Sequence, residues 1–283
     1  MQIRTDLAWE SVNNCTDKSI AQKHWKENGV EFFRLAVDER MAAELEKPKG
    51  QYVTALLPPL TDHEEGLERT AESLGEQLRS LLPPSGTVLV VGLGNPSITP
   101  DAVGPLTAKN VLATRHIQGE FARSAGLDDL RSTAVIIPDV LGNTGIESSE
   151  TVVGVCRAID PCAVIAVDAL AAQDLKRLGR TVQMCDAGIA PGSGVGNNRK
   201  ALNHETLGVP VIGLGIPTVV DAVTLARHVM NIDDKTLTPH GTAMMVTPRE
   251  VDIMVDRAAR LLAMTIHAAL QPDYSPLELL SLA

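Results

Sequence analysis

Two carboxylates stand where strands end. The stretch Val88 to Pro105, VLVVGLGNPSITPDAVGP, runs from β-branched residues into a Gly-x-Gly turn, and a short polar loop then delivers Asp101. A second apolar run, Ala163 to Val167, delivers Asp168, followed by the small residues Ala169, Ala171 and Ala172. Open α/β sheets hold their ligands at the carboxyl ends of the strands. Two acids brought together there cannot both ionise easily. One keeps a proton while the other acts as base, which is the logic of carboxylate-pair hydrolysis. Asp101 has a second reading, as the acid that opens the following helix and faces its free N–H groups.

Other motifs are weaker. Gly92-Leu93-Gly94-Asn95 invites a dinucleotide site, but position 97 is Ser, so G-x-G-x-x-G is incomplete. No second strand ends in an acid about 20 residues on, as ribose binding would want. Asp186 lies in Cys185-Asp186-Ala187-Gly188, which partly resembles the Asp-Thr-Gly of pepsin-like proteases. The alternating α/β pattern contradicts an all-β pepsin-like fold. The glycine-rich stretch Gly188 to Lys200 offers backbone N–H groups to an anion, with Arg199 and Lys200 as positive charge, but it has no G-K-[ST]. His240 sits in the turn Thr238 to Thr242. With no zinc signature, neither metal nor cofactor is expected. Asn95, Asp186, Arg199 and His240 are therefore candidates for holding substrate or flanking the acid pair.

The totals narrow the class. The chain has 283 residues and a formal charge of −10, with 25 basic against 35 acidic residues. This argues against a protein that coats nucleic acid, because no basic surplus is available for phosphates. Aromatics are 2%, so aliphatic residues must build the core. The four cysteines, Cys15, Cys156, Cys162 and Cys185, form no C-x-x-C and read as reduced structural thiols. No N-terminal apolar region reads as a signal peptide, and no apolar run reaches the ~18 residues of a membrane span.

The elements that must position the acids follow from patterning. Apolar runs at 87–91, 134–137, 163–167 and 210–214 read as buried parallel strands. Helical segments are expected at 101–115, 147–159 and 218–230, and a last helix from Thr247-Pro248 toward Leu270. Earlier, DERMAAELE (38–46) reads as a short helix and Tyr52 to Leu57 as an apolar stretch. Residues 62 to 82 read as a helix capped by Asp62. The fold expected is α/β, with a mostly parallel central sheet and flanking helices. A single α/β domain is expected over 1–283, with residues up to 84 as an N-terminal appendage and a core at 85–270.

Several stretches together carry a resemblance: RTDLAWE (4–10), KPKGQYVTALLPPL (47–60), TPDAVGPLTAKNVLATRHI (99–117), VIAVDALAA (164–172), the long run 188–224 and TPHGTAMMVTPREVD (238–252). The chain resembles the germination proteases of spore-forming bacteria, endopeptidases that degrade small acid-soluble spore proteins. The resemblance implies a fold similar to that of hydrogenase-maturation endopeptidases. It implies an atypical aspartic peptidase in which Asp101 and Asp168 are the essential pair. It also implies a homotetramer made in the forespore as a self-processing zymogen, acting in the spore core, which is a cytoplasmic compartment. Family substrates are cut after the first acid of Thr/Ser-Glu-Ile/Phe-Ala-x-Glu. Thr5-Asp6-Leu7-Ala8-Trp9-Glu10 follows that pattern, so self-cleavage is expected between Asp6 and Leu7. The chain departs from the family at Pro96, at Ala187 and in its shorter length. Two other readings stand beside this one: a metal-dependent maturation-type endopeptidase, and a non-catalytic nucleotide-binding module.

Overall fold

The computed structural model describes residues 5–13, 22–61, 66–117, 119–124, 127, 129–192, 200–230 and 244–283. Cys15, Asp62, Arg199 and His240 lie outside the described residues. In chain order the helices are α1 (Ala8–Asn13), α2 (Glu39–Leu45), α3 (Leu67–Arg79), α4 (Val103–Lys109), α5 (Gly119–Ser124), α6 (Leu141–Thr144), α7 (Ser148–Ile159), α8 (His204–Leu207), α9 (Ala222–Met230), α10 (Val251–Leu270) and α11 (Pro276–Ser281). The strands are β1 (Gln22–Glu27), β2 (Val30–Val37), β3 (Gly50–Leu56), β4 (Val88–Gly92), β5 (Thr133–Ile136), β6 (Ala163–Ala172), β7 (Thr181–Cys185), β8 (Val211–Asp221) and β9 (Met245–Val246).

Among the described residues the nine strands join one sheet, ordered β1-β2-β3-β7-β8-β6-β4-β5, with β9 on β8. The four expected runs form its parallel part: β8, β6, β4 and β5. Their residues are aliphatic on both faces because both faces are covered. Helices α3, α4 and α10 pack on one face, where Leu74, Leu78, Val90, Ile165, Leu214, Leu261 and Leu262 are fully buried. Each such side chain contributes about 1.5–3 kcal/mol by leaving water. Helix α7 covers the other face through Val152 against Val91 and Val164. Beyond β8 the sheet turns antiparallel through β7, β3, β2 and β1. Residues 22–56 thus supply three strands to the same sheet as the parallel core.

Several expected boundaries shift for local reasons. The helix expected over 62–82 is α3, which follows Gly66 without a side-chain cap. The segment 101–115 divides into a 3-10 turn, Thr99–Asp101, and α4. Residues 218–221 continue β8 instead of opening a helix. Asp221 then accepts the Val223 and Thr224 N–H groups, both at 3.0 Å, and starts α9. Thr247 does not cap α10, because its hydroxyl donates to the Thr218 carbonyl at 2.9 Å across the β8–β9 pairing.

His267 locks α10 into place. It is 2% exposed, its Nε2 accepts the Leu112 N–H at 3.0 Å, and its Nδ1 faces the Pro276 carbonyl at 3.4 Å. Burial pushes its pKa down to about 4. The unfolded chain therefore binds the proton first as pH falls. The stability this neutral imidazole contributes is fully present above pH ~6.5 and is lost as pH drops from ~6.5 toward 4, at most roughly 3 kcal/mol. Urea unfolding across that window should show this acid loss, and His267→Gln should flatten it while lowering stability at neutral pH. An unchanged pH slope in the variant would exclude His267 as its source.

Candidate active site

The strand ends build the site. β4 stops at Gly92, opposite Val167, whereas β6 runs on to Ala172 beside β8. Asp168 is the first residue of this overhang and is 4% exposed. One of its carboxylate oxygens accepts the Ala169 N–H at 2.9 Å. It lines a cleft of about 230 Å³, together with Asp6, Lys47, Gln183, Cys185 and Asn203. The cleft floor is glycine. Asp168 and Gln183 are both register partners of Gly215, from β6 and β7 on either side of β8. A Cβ on Gly215 would lie 2.6 Å from the Asp168 carbonyl and 2.7 Å from Leu170 Cγ. Only glycine leaves the space between the two polar side chains open.

Asp101 reaches the same end of the sheet from the α4 side. Its Oδ2 accepts the Asn95 N–H at 2.7 Å, and Asn95 Oδ1 in turn accepts the Ser97 N–H at 2.9 Å. Thr218 on β8 donates its hydroxyl to the Pro100 carbonyl at 2.7 Å, which ties the 3-10 turn to the sheet. Gly94 has φ +114°, and a Cβ there would collide with the Asp101 backbone. The GLGN stretch is therefore a turn that folds back onto Asp101 and grips it. Asp101 lies outside the lining of the cleft around Asp168.

Asn95 lies beside Asp101, which accepts its backbone N–H. Asp186 is at an exposed sheet end instead, where its Oδ1 accepts the Gln51 N–H at 2.6 Å and closes the β3–β7 pairing. Cys185 faces the cleft as a buried thiol that donates to the Gly188 carbonyl at 3.1 Å. Burial pushes its pKa up to about 11, so it stays protonated and is a poor nucleophile. Among the described residues, no three of His, Cys, Asp and Glu converge as metal ligands would, and no helix is long and apolar enough to cross a membrane.

The chain's own N-terminal segment contributes to the wall of the cleft through Asp6. Asp6 donates its N–H to the Ala171 carbonyl at 2.9 Å and accepts the Ala171 N–H on its carboxylate at 2.8 Å. It thereby pairs with the β6 overhang that β4 leaves free. Leu7 is fully buried with Leu170 and Ala172. Ala8 is buried against Leu35, Leu45 and Tyr52. Trp9 rests on Phe33, with ring centroids 3.9 Å apart. Glu10 accepts the Gln173 and Asp174 N–H groups, both at 2.8 Å, and the Thr5 hydroxyl. Lys47 donates to the Thr5 carbonyl at 2.6 Å. Burial lowers its pKa below the ordinary lysine value, against the opposing pull of Asp6.

Gln183 and Lys47, the two polar side chains that hold this segment, escaped the sequence reading. A single glutamine in the short run TVQMC carries no periodic signal. The available hint was indirect: a hexapeptide patterned like a substrate must meet something that reads it.

The germination protease family model matches residues 4–233. A germination protease of Caldanaerobacter subterraneus subsp. tengcongensis is 38% identical, over 98% of this chain and 97% of the relative. One from Priestia megaterium is 41% identical, over 81% of this chain and 66% of the relative. Among solved structures, the [NiFe] hydrogenase maturation protease HycI from Thermococcus kodakarensis aligns with a TM-score of 0.38 and 19% identity, covering 67% of this chain and 98% of that one. With a model match over most of its length and relatives of this identity, the chain belongs to the germination protease family.

Proposed function

We propose that this chain is a self-processing aspartic-type endopeptidase that starts the degradation of small acid-soluble spore proteins at germination. It is made in the forespore as a homotetrameric zymogen whose residues 1–6 are the propeptide of a single peptidase domain. One observation carries the reading. The hexapeptide patterned like a substrate, Thr5 to Glu10, is held along the β6 overhang, with Asp6 lining the same cleft as Asp168 and Leu7 buried beside it.

Each restricted position of the pattern has a physical partner there. The acid at Asp6 meets a backbone N–H of β6. The aliphatic residue at Leu7 is buried among apolar side chains, and the small residue at Ala8 is 1% exposed in a second apolar cluster. The free choice falls on Trp9, which is only partly buried. The closing acid, Glu10, meets two N–H groups. Hydrolysis then divides between Asp101 and Asp168: the ionised acid takes a proton from water, and the protonated one donates to the leaving amine.

Mass spectrometry of protein aged at neutral pH should show loss of residues 1–6. An active enzyme that keeps Met1 to Asp6 would contradict self-processing. Asp101→Asn and Asp168→Asn should each lower cleavage of a peptide containing Thr-Glu-Ile-Ala-Gln-Glu by at least about 10³-fold, with unfolding transitions like the wild type's. Full activity in either variant would refute the pair.

A further inference from the structure

Gln183 bridges the two consecutive peptide bonds that flank Leu7. Its Nε2 donates to the Asp6 carbonyl at 2.9 Å, and its Oε1 accepts the Ala8 N–H at 2.6 Å. The two partners fix which end of the amide is which, since a carbonyl only accepts and an N–H only donates. The residue is 7% exposed and stands in the middle of β7, paired with Thr54 on one side and Gly215 on the other. A polar side chain in such a place needs partners, and the bonds to the N-terminal segment supply them.

Its place in the sheet adds the second half of the argument. Asp168 and Gln183 are two strand spacings apart, about 10 Å, with the bare backbone of Gly215 between them. Residues level with one another on neighbouring strands point to the same face. The cleft is therefore flanked by an acid on one side and by an amide already bound to a carbonyl oxygen on the other.

We propose that Gln183 is a catalytic residue that polarises the scissile carbonyl, and that it fixes the register of the substrate through the N–H two residues further on. This rests on reading Asp6–Leu7 as the bond that is cut. In the reaction, water adds to the Asp6 carbonyl carbon and gives a proton to the ionised acid. The carbonyl electron pair moves onto oxygen, where the Gln183 N–H stabilises the developing charge. Collapse restores the C=O and breaks the C–N bond, and the protonated acid supplies a proton to the Leu7 nitrogen. The products are a new carboxyl group at Asp6 and a new amine at Leu7. A preorganised donor aimed at a developing oxyanion is worth about 10²–10³ in kcat.

Gln183→Glu tests this directly. The carboxylate keeps the acceptor for the Ala8 N–H and loses the donor to the carbonyl. Gln183→Met is neutral and of similar length, and it controls for the added charge. With a peptide containing Thr-Glu-Ile-Ala-Gln-Glu, both variants should lose about 10²–10³-fold in kcat, with KM within about fivefold of wild type. The Gln183→Glu deficit, taken relative to wild type at each pH, should shrink as pH falls toward the ordinary glutamate pKa of ~4.3, where the acid can donate again. A rise in KM with kcat unchanged, or a deficit that does not respond to pH, would make Gln183 a mere staple for the segment and overturn the assignment. Mapping the wild-type cut separates the two layers of the argument. If wild type cuts the peptide elsewhere, the cleavage-site reading fails and takes the role of Gln183 with it. If wild type cuts after the acid and the variants match it, only Gln183 is wrong.

Discussion

The arrangement at the cleft depends on one strand outrunning its neighbour. β6 continues past the end of β4, and its backbone groups from Ala169 onward would otherwise lack a partner on that side. Buried N–H and C=O groups left unpaired are costly. An extended segment that supplies a carbonyl-seeking N–H and an acceptor for Ala171 satisfies that edge, as Asp6 does here. The same overhang begins with Asp168, so the geometry that captures a peptide also sets it beside an acid. One of the two bonds to Ala171 is made by the Asp6 side chain, so capture at this edge already favours an acid. Further selectivity comes from the surroundings: the apolar cluster around Leu7, the buried site of Ala8 and the paired N–H groups that receive Glu10.

A second constraint is the absence of side chains at chosen points. Gly215 leaves the floor open between Asp168 and Gln183, and Gly94 lets the turn fold back onto Asp101. Gly94 lies just past the end of β4, and Gly215 is level with Asp168, where the β6 overhang begins. The rigid part of the molecule, with α10 and α3 packed on one face and α7 on the other, holds those strand ends in place. Loops then contribute only short-range adjustments, such as the Asn95 N–H on Asp101 and the Thr218 hydroxyl on Pro100.

The parallel core was legible in the sequence because its strands are continuous aliphatic runs between turn residues, and buried parallel strands have to be. Asp168 stood out for the same reason, as the acid directly after such a run, and Asp101 as the acid in the short polar loop that follows another. The antiparallel half was not legible. β1, with the sequence QKHWKE, is mostly charged and polar because it is an edge strand, and β7 is five residues long and held by neighbours from distant parts of the chain. Gln183 was invisible for a related reason: its partners lie 175 and 177 positions away. The start of α10 was misplaced because Thr247, a good capping residue, finds a stronger tertiary use on β8. In each case a contact across the fold overrode a local preference, and single-sequence patterning carries no record of such contacts.

The central claim is that the groove beside Asp168 reads the pattern carried by Thr5 to Glu10 and cuts after its first acid. The most direct test is to incubate the protein with a purified small acid-soluble spore protein and sequence the products. The account predicts a single early cut per copy of Thr/Ser-Glu-Ile/Phe-Ala-x-Glu, placed immediately after the first glutamate. Early cuts scattered over other sequences, or a substrate left intact by protein that has already lost residues 1–6, would contradict it.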